Sequence, residues 1–427
     1  MSYVNSDGVA ARPRVRLAIL QPTSHCNLNC VYCYVPERSN SSLMSDAVVR
    51  AAAVFTFSTA PPDQESFTFA WHAGEPLAAG IEFYRRAFRI IADEAPGGST
   101  IRHLIQTNAT LVNASWCEFF SGHQMEFGVS LDGPRDLHDS SRVNWAGRGS
   151  FDQAMRGVKL LRDAGYNPNA ICVLTPRSLD AADELYDFFA ENAFPSVGFN
   201  LEESEGAHAR SRHADADETS LRSRYTAFMR QIWKRWYSDR GRMRIREIEQ
   251  ELGCIFQSRI DPNFVAVPDE AIPFADITIR RDGEISTFSP EFASTASSEY
   301  QNFVIGNVLV DTPDSVTNST AFQRLSGDIE KGRNACQKRC SYYRVCGAGF
   351  QSNRYAEHGN LLATETVTCR IHKMALNDTV TSELNAMSNR QAGLPSGWLE
   401  EADRPPTEPE RDDRREPRVE GRAVVHE

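Results

Sequence analysis

Seven of the ten cysteines in this 427-residue chain fall into two groups. Cys26, Cys30 and Cys33 form C-x3-C-x2-C within CNLNCVYCY. Cys336, Cys340, Cys346 and Cys369 form C-x3-C-x5-C-x22-C. Thiolates are ligands for zinc and for iron–sulfur clusters. A structural zinc takes four ligands. Three thiolates alone therefore suit a cubane in which the protein holds three irons and the fourth is left for a small molecule. His25 offers zinc a fourth ligand, so spacing alone leaves that alternative open. The second group has four thiolates and no gap, which suits a fully ligated cluster or a structural zinc. Cys117 and Cys172 lie in helix and strand patterns and read as small core residues. Cys254 is given no ligand role.

The elements that must position these thiols follow from periodicity. From about residue 14 to 200, short apolar or β-branched runs alternate with helical patterns. The expected strands are VRLAIL, SFTFAW, RHLIQT, EFGVSL, PNAICVL and SVGFNL. The helices include IEFYRRAFRIIADEA, FDQAMRGVKLLRDAG and LDAADELYDFFAENA. Phe151, Met155, Val158 and Leu161 recur at helical spacing, as do Leu179, Ala182, Leu185 and Phe189, and both sets read as core stripes. Six strand–helix units imply a parallel α/β sheet, doubly wound or curved as a barrel, with its functional loops at the carboxyl ends of the strands. The three-cysteine loop follows the first strand and so occupies such a position.

Composition limits the rest. A net charge of −11 argues against nucleic acid as a partner, and no apolar run is long enough to span a bilayer. With no secretory signal read at the N-terminus, the chain is expected to be cytoplasmic. The expected divisions are an N-terminal extension (1–13), a core domain (14–216), a charged helical linker (217–255), a loop-rich second domain (256–375), a terminal helix (376–390) and a disordered acidic, Pro-rich tail (391–427). The basic residues of the linker read as its solvated face.

Several motifs together resemble the radical S-adenosylmethionine (SAM) enzymes over about residues 15–200. CNLNCVYC has an aromatic residue, Tyr32, before the third cysteine, as that family has. AGEP, Ala73-Gly74-Glu75-Pro76, is similar to the family's Gly-Gly-Glu-Pro turn, whose backbone receives the amino group of SAM. Alanine at the first position is tolerable only with negative φ. In VSLDGP, the resemblance implies that Ser130 contacts the ribose. Arg142, ending HDSSR, would pair with the SAM carboxylate. Asn108 in QTNAT is a further candidate. The implied fold is a partial (β/α)6 TIM-like barrel. The implied cofactors are a [4Fe–4S] cluster on Cys26, Cys30 and Cys33, with SAM at its open iron. A one-electron reductant of flavodoxin or ferredoxin type is implied as partner.

The second cysteine group resembles a reduced SPASM domain. Phe350 stands where a further cysteine is expected, and DGEISTFSPEF has none. The resemblance implies one auxiliary [4Fe–4S] cluster on Cys336, Cys340, Cys346 and Cys369. WHAGEPL, FNLEESEG, CSYYRVCGAG, SNRYAEHG and ATETVTC resemble enzymes that build cyclophane rings in ribosomally made precursor peptides. The implied reaction joins an aromatic ring carbon to a β-carbon, and a proton acceptor is then needed. Glu202, Glu203 and Glu205, after the sixth strand, are candidates for that base or for a peptide anchor. Glu365 in TET is read instead as capping or bracing the auxiliary-cluster loop, and the sequence does not choose between the two. Alternatives are a thioether, an epimerised residue, an oxidised serine or cysteine, or a non-catalytic zinc-binding protein.

Overall fold

The computed structural model describes residues 14–389 except Arg240. The expected extension 1–13 and tail 391–427 lie outside the described residues. The chain divides into one compact unit, Met1–Ser382, and a second, Glu383–Glu427, of which the described part is the end of the last helix.

Six parallel strands run in chain order: β1 (Leu17–Leu20), β2 (Ser66–Trp71), β3 (Thr100–Thr107), β4 (Met125–Ser130), β5 (Asn169–Leu174) and β6 (Ser196–Leu201). Among these six the order never reverses, which is the barrel-type arrangement rather than the doubly wound one. Between them come α1 (Asp46–Ser58), α2 (Ile81–Glu94), α3 (Ala114–Phe120), the single-turn α4 (Arg135–His138), α5 (Phe151–Asp163) and α6 (Ala182–Glu191). Then follow α7 (Glu218–Ser238), β7 (Arg244–Ile245) and α8 (Arg246–Ile260). The second cysteine region begins with β8 (Asp276–Ile279), β9 (Glu284–Thr287) and β10 (Gly306–Asn307). It continues with α9 (Pro313–Thr317), α10 (Thr320–Arg339), α11 (Tyr343–Cys346), α12 (Gln351–His358) and a π-helical turn, Cys369–Met374, leading into α13 (Ala375–Asn389). Its strands extend the same sheet. β8 pairs in parallel with the free edge of β1, and β9 and β10 follow antiparallel. β7 covers the other edge, on β6.

The sequence folds this way because each unit buries one apolar face. Trp71 is fully buried and meets Phe83, Tyr84 and Phe88 of α2. Its indole Nε1 donates to His103 Nδ1 at 3.3 Å, and the His103 ring stacks on Phe88 at 3.6 Å. Burial pushes the His103 pKa down to about 3, so the ring is neutral and can accept that bond. Val158, Leu161, Leu185 and Phe189 are fully buried as the periodicity predicts, whereas Phe151 and Met155 are half-buried at the edge of their stripe. Helix starts are capped by side chains where the sequence offers them. Ser45 caps α1, Asn113 caps α3, and Asp217 caps α7. α7 is core on one face, burying Tyr225, Phe228, Ile232 and Trp236. Its basic face is tied into ion pairs, Arg222–Asp378 at 2.9 Å and Arg224–Asp180 at 2.7 Å.

Trp71→Ala removes the side chain that joins β2 and β3 to α2. The expected loss is about 3–5 kcal/mol of unfolding free energy, read from urea denaturation.

Candidate active site

Cys26, Cys30 and Cys33 lie in the irregular loop between β1 and α1. Backbone bonds from two neighbouring loops fix it. Glu75 N donates to His25 O at 2.8 Å, Asn29 N to Val143 O at 2.7 Å, and Val31 N to Ser141 O at 2.9 Å. Trp145 Nε1 donates to Cys26 O at 2.8 Å. The turn after β2 presses close. A Cβ at Gly74, where φ is +56°, would stand 2.4 Å from His25 O, so only glycine fits there. The expectation for Ala73 is corrected: its φ is +68°, not negative. Alanine is held in the left-handed region by its neighbours, a strain of about 1–2 kcal/mol that surrounding bonds must over-determine.

Glu75 is the fixing point of that turn. It is 1% exposed. Its Oε1 accepts from Leu77 N at 3.0 Å and Thr107 Oγ1 at 2.7 Å, and its Oε2 accepts from Asn108 N at 2.8 Å. Asn108 Nδ2 donates to Asn27 Oδ1 at 3.0 Å and approaches Cys26 Sγ at 3.9 Å. Asn108 therefore braces the cysteine loop as well as lining the cavity. Ser130 Oγ accepts from Gln106 Nε2 at 2.9 Å. Arg142 is 7% exposed, with Nε 3.1 Å from Asp132 Oδ1 and its guanidinium 5.4 Å from the centre of the Tyr32 ring. Tyr32 Oη donates to the other oxygen of Asp132. Asp132, the aspartate of SLDGP, was not singled out from the sequence, yet it orients both Arg142 and Tyr32.

These groups share one cavity of about 600 Å³. Cys26, Cys30, Cys33 and the Ala73–Glu75 turn form part of its wall, and Glu203, Glu205, Glu270 and Glu291 form another part. Asn353 Nδ2 bridges Glu203 Oε2 at 2.8 Å and Glu205 Oε1 at 3.3 Å. Burial, with help from Glu291, pushes the Glu203 carboxyl up to about 7. Burial and the same neighbour push Glu270 up to about 8, and Glu205 lies well above the usual range. The cavity's cations are already engaged: Arg142 with Asp132, Arg246 with Glu247, and Lys373 with Glu251 at 3.0 Å. Among the described residues, Glu203, Glu205, Glu270 and Glu291 have no ion-pair partner, whereas Glu202 and Glu247, which line the same cavity, are paired. Glu202 belongs to another network, because Arg212 Nε reaches it at 2.8 Å and His208 Nε2 at 3.1 Å. Of the three candidates, Glu203 and Glu205 share the Asn353 bridge, whereas Glu202 is ion-paired. Glu270 and Glu291, distant in sequence, were not legible as partners.

The second cysteine group lines one cleft. Cys336 projects from α10, Cys340 caps its end, Cys346 ends α11, and Cys369 opens the π-helical turn. Gly349 and Phe350 line both this cleft and the large cavity. Phe350 stacks on His372, at 6.1 Å between ring centres. Glu365 pairs at 3.3 Å with Arg370, which also binds Glu218 at 2.5 Å. Cys172 is fully buried and Cys117 half-buried. Among the described residues, no three His, Cys, Asp or Glu side chains are placed to hold a single metal ion. A tetrahedral zinc needs four ligands converging at about 2.0–2.3 Å. The thiolates around a cubane bind different irons, and the three thiols on one wall of the cavity would leave its fourth iron open to that cavity. Burial pushes Cys26 up to about 12 and Cys30 up to about 11, so these thiols keep their protons unless a cation such as cluster iron displaces them.

Residues 20–189 match the radical SAM superfamily. The chain is 30% identical to the serine-type anaerobic sulfatase-maturating enzyme of Klebsiella aerogenes, over 79% of this chain and 80% of that enzyme. The chain belongs to the radical SAM superfamily. It is accordingly an enzyme that uses a [4Fe–4S] cluster and SAM. Its fold is similar to that of anSMEcpe, solved with AdoMet and the Cp18Cys peptide (TM-score 0.70, 21% identity, 88% of this chain and 99% of that one). It is also similar to Streptococcus suis SuiB bound to the precursor peptide SuiA (TM-score 0.59, 14% identity, 83% and 76%). Among the described residues no helix is long and apolar enough to cross a membrane.

Gly74→Ala places a methyl against His25 O, and the expected outcome is a folded protein with a depleted first cluster. Circular dichroism and iron analysis check this. The raised carboxyls also act on stability. Between their ordinary value of 4.5 and the folded values of about 7 and 8, the folded chain holds protons that the unfolded chain has released. Stability tied to Glu203 and Glu270 is therefore full below about pH 4.5 and falls as pH rises through 7 and 8. Glu203→Gln combined with Glu270→Gln should flatten that fall in denaturation curves recorded between about pH 5 and 8.

Proposed function

We propose that the chain is a peptide maturase that closes a cyclophane, joining an aromatic ring carbon to a β-carbon in a ribosomally made peptide. Support comes from one observation above all. A single cavity has the three-cysteine loop on its wall, two Asn353-bridged carboxyls facing in, and a four-cysteine cleft behind Phe350. The ring chemistry rests on the sequence resemblance to cyclophane-forming enzymes, and the peptides named in the structures of similar fold support a peptide as substrate.

When bound to Cys26, Cys30 and Cys33, the cluster with SAM supplies a 5′-deoxyadenosyl radical able to remove a β-hydrogen, given one electron from a flavodoxin- or ferredoxin-type reductant. In this reading the Ala73–Pro76 turn, Asn108, Ser130 and Arg142 bind and orient the SAM end of the cavity. Asp132 keeps the Arg142 fork and Tyr32 fixed, so neither has to reorganise. Glu203 receives the ring proton after bond formation. Its raised pKa of about 7 matches an acceptor working near neutral pH. Asn353 holds Glu203 and Glu205 together, and burial with repulsion from Glu203 and Glu291 favours the protonated form of Glu205, which leaves Glu203 as the acceptor. A cluster on Cys336, Cys340, Cys346 and Cys369 would offer an acceptor for the electron that leaves with that proton. The peptide then loses two hydrogens overall, one as an atom and one as proton plus electron.

A second reading rests on the likeness to the sulfatase-maturating enzyme, namely oxidation of a serine or cysteine side chain to an aldehyde.

The test is coexpression with a neighbouring precursor peptide rich in aromatic residues. A ring gives loss of two hydrogens, no reaction with a hydrazide probe, and a gap in backbone fragmentation across the joined residues. Hydrazide labelling would establish the second reading instead. Glu203→Gln should lower the rate of ring formation at least tenfold while SAM cleavage continues. In the wild type, ring formation should rise with pH through about 7, where the carboxyl loses its proton.

A further inference from the structure

Arg354 is 3% exposed and, among the described residues, pairs with no carboxylate. Arg142, the other arginine buried to this degree, pairs with Asp132. The Arg354 guanidinium is nevertheless closely held. Nη2 donates to Cys336 Sγ at 3.2 Å and to Ala348 O at 3.4 Å, and Nη1 donates to Gln351 Oε1 at 3.3 Å. Gln351 is fully buried and fixed in turn by its own bond to Ala348 O at 2.7 Å. The turn that aims this carbonyl is contorted, with φ of +58°, +59° and +61° at Gly347, Ala348 and Phe350. α10 makes room for the guanidinium. A Cβ at Gly332, one turn before Cys336, would stand 2.9 Å from Arg354 Nη1.

A cation buried without an anion is strongly unfavourable, so the anion here has to be the sulfur set. We propose that Arg354 is a positioning residue that raises the reduction potential of the auxiliary cluster through a charge-assisted bond to the Cys336 ligand sulfur. The inference rests on the reading that Cys336, Cys340, Cys346 and Cys369 hold that cluster. On reduction the cluster gains one electron and one negative charge. A fixed cation and a donor at sulfur stabilise that state more than the oxidised one. α12 then carries both halves of the final step. Asn353 holds the carboxyls that take the proton, and Arg354, the next residue, tunes the site that takes the electron.

The experiment is an EPR-monitored redox titration of the full-length, iron-reconstituted chain without oxygen. The auxiliary signal is the one that persists when Cys26, Cys30 and Cys33 are all changed to Ala. Arg354→Gln is expected to raise the oxidised-to-reduced ratio at the wild-type midpoint at least tenfold, about 59 mV for one electron. Arg354→Lys, which keeps the charge but loses the fork, should shift it less. Gln351→Ala frees the guanidinium without touching sulfur and should shift the midpoint in the same direction. Unchanged midpoints in variants with full iron content overturn the proposal. So does loss of iron in both Arg354 variants together with an unchanged midpoint in Gln351→Ala. If no signal persists in the triple cysteine variant, the reading of the four-cysteine cleft fails and takes this inference with it.

Discussion

The Glu75 carboxylate joins three segments that the chain makes separately. Its two oxygens accept from the turn after β2, from the end of β3 and from the backbone of Asn108, while its own N–H holds the cysteine loop at His25. Because the charge is buried, removing any one donor would leave a lone pair unsatisfied in a medium where that is costly. The cysteine loop has no regular structure to stiffen it. Its position relies on this carboxylate, on the absence of a side chain at Gly74, and on the bonds from the 141–145 segment. The left-handed Ala73 precedes the left-handed Gly74 in the same turn.

The distribution of charge inside the cavity follows a simple rule. Every cation lining it is matched by an acid: Arg142 by Asp132, Arg246 by Glu247, and Lys373 by Glu251. Among the described residues, Glu203, Glu205, Glu270 and Glu291 have no cationic partner, only one another and neutral groups such as Asn353, Thr368 and Ser352. Burial and mutual repulsion act in the same direction on them, and both favour the protonated form. The same side-chain type behaves differently a residue away, where Glu202 is saturated by Arg212 and His208. Environment, rather than residue type, separates a structural glutamate from a candidate proton acceptor.

Irregular backbone gathers around the second cysteine group. Left-handed residues at 347, 348 and 350 and the π-helical turn at Cys369–Met374 reorient a short length of chain twice. The result is that neighbouring residues face different compartments. Asn353 and Arg354 do so on α12, and Cys369 and His372 do so within one turn. Such local distortions are found where function asks for them, because each costs free energy that regular structure would not. Gly349 and Phe350 line both compartments, so this short segment borders the cavity and the cleft alike.

Much of the frame could be read from the chain. The strands at SFTFAW and SVGFNL span the same residues as their apolar runs, because a strand in a helix-covered parallel sheet is buried over most of both faces and reads as a short continuous apolar stretch. The cysteine spacings were likewise visible, since ligands on a short loop must be close in sequence. β8 was not seen as an extension of the first sheet, nor were Asp132, Asn353, Arg354, Glu270 and Glu291 seen as site residues. Each owes its role to a partner far along the chain: β8 to β1, Asn353 to Glu203, and Glu270 and Glu291 to the same carboxyls. Sequence by itself determined the periodic elements and the thiol sets, which depend on local spacing. Tertiary structure alone decided which glutamate is free, which arginine lacks a carboxylate and which turn tolerates a left-handed alanine, because burial and long-range pairing exist only once the sheet has formed.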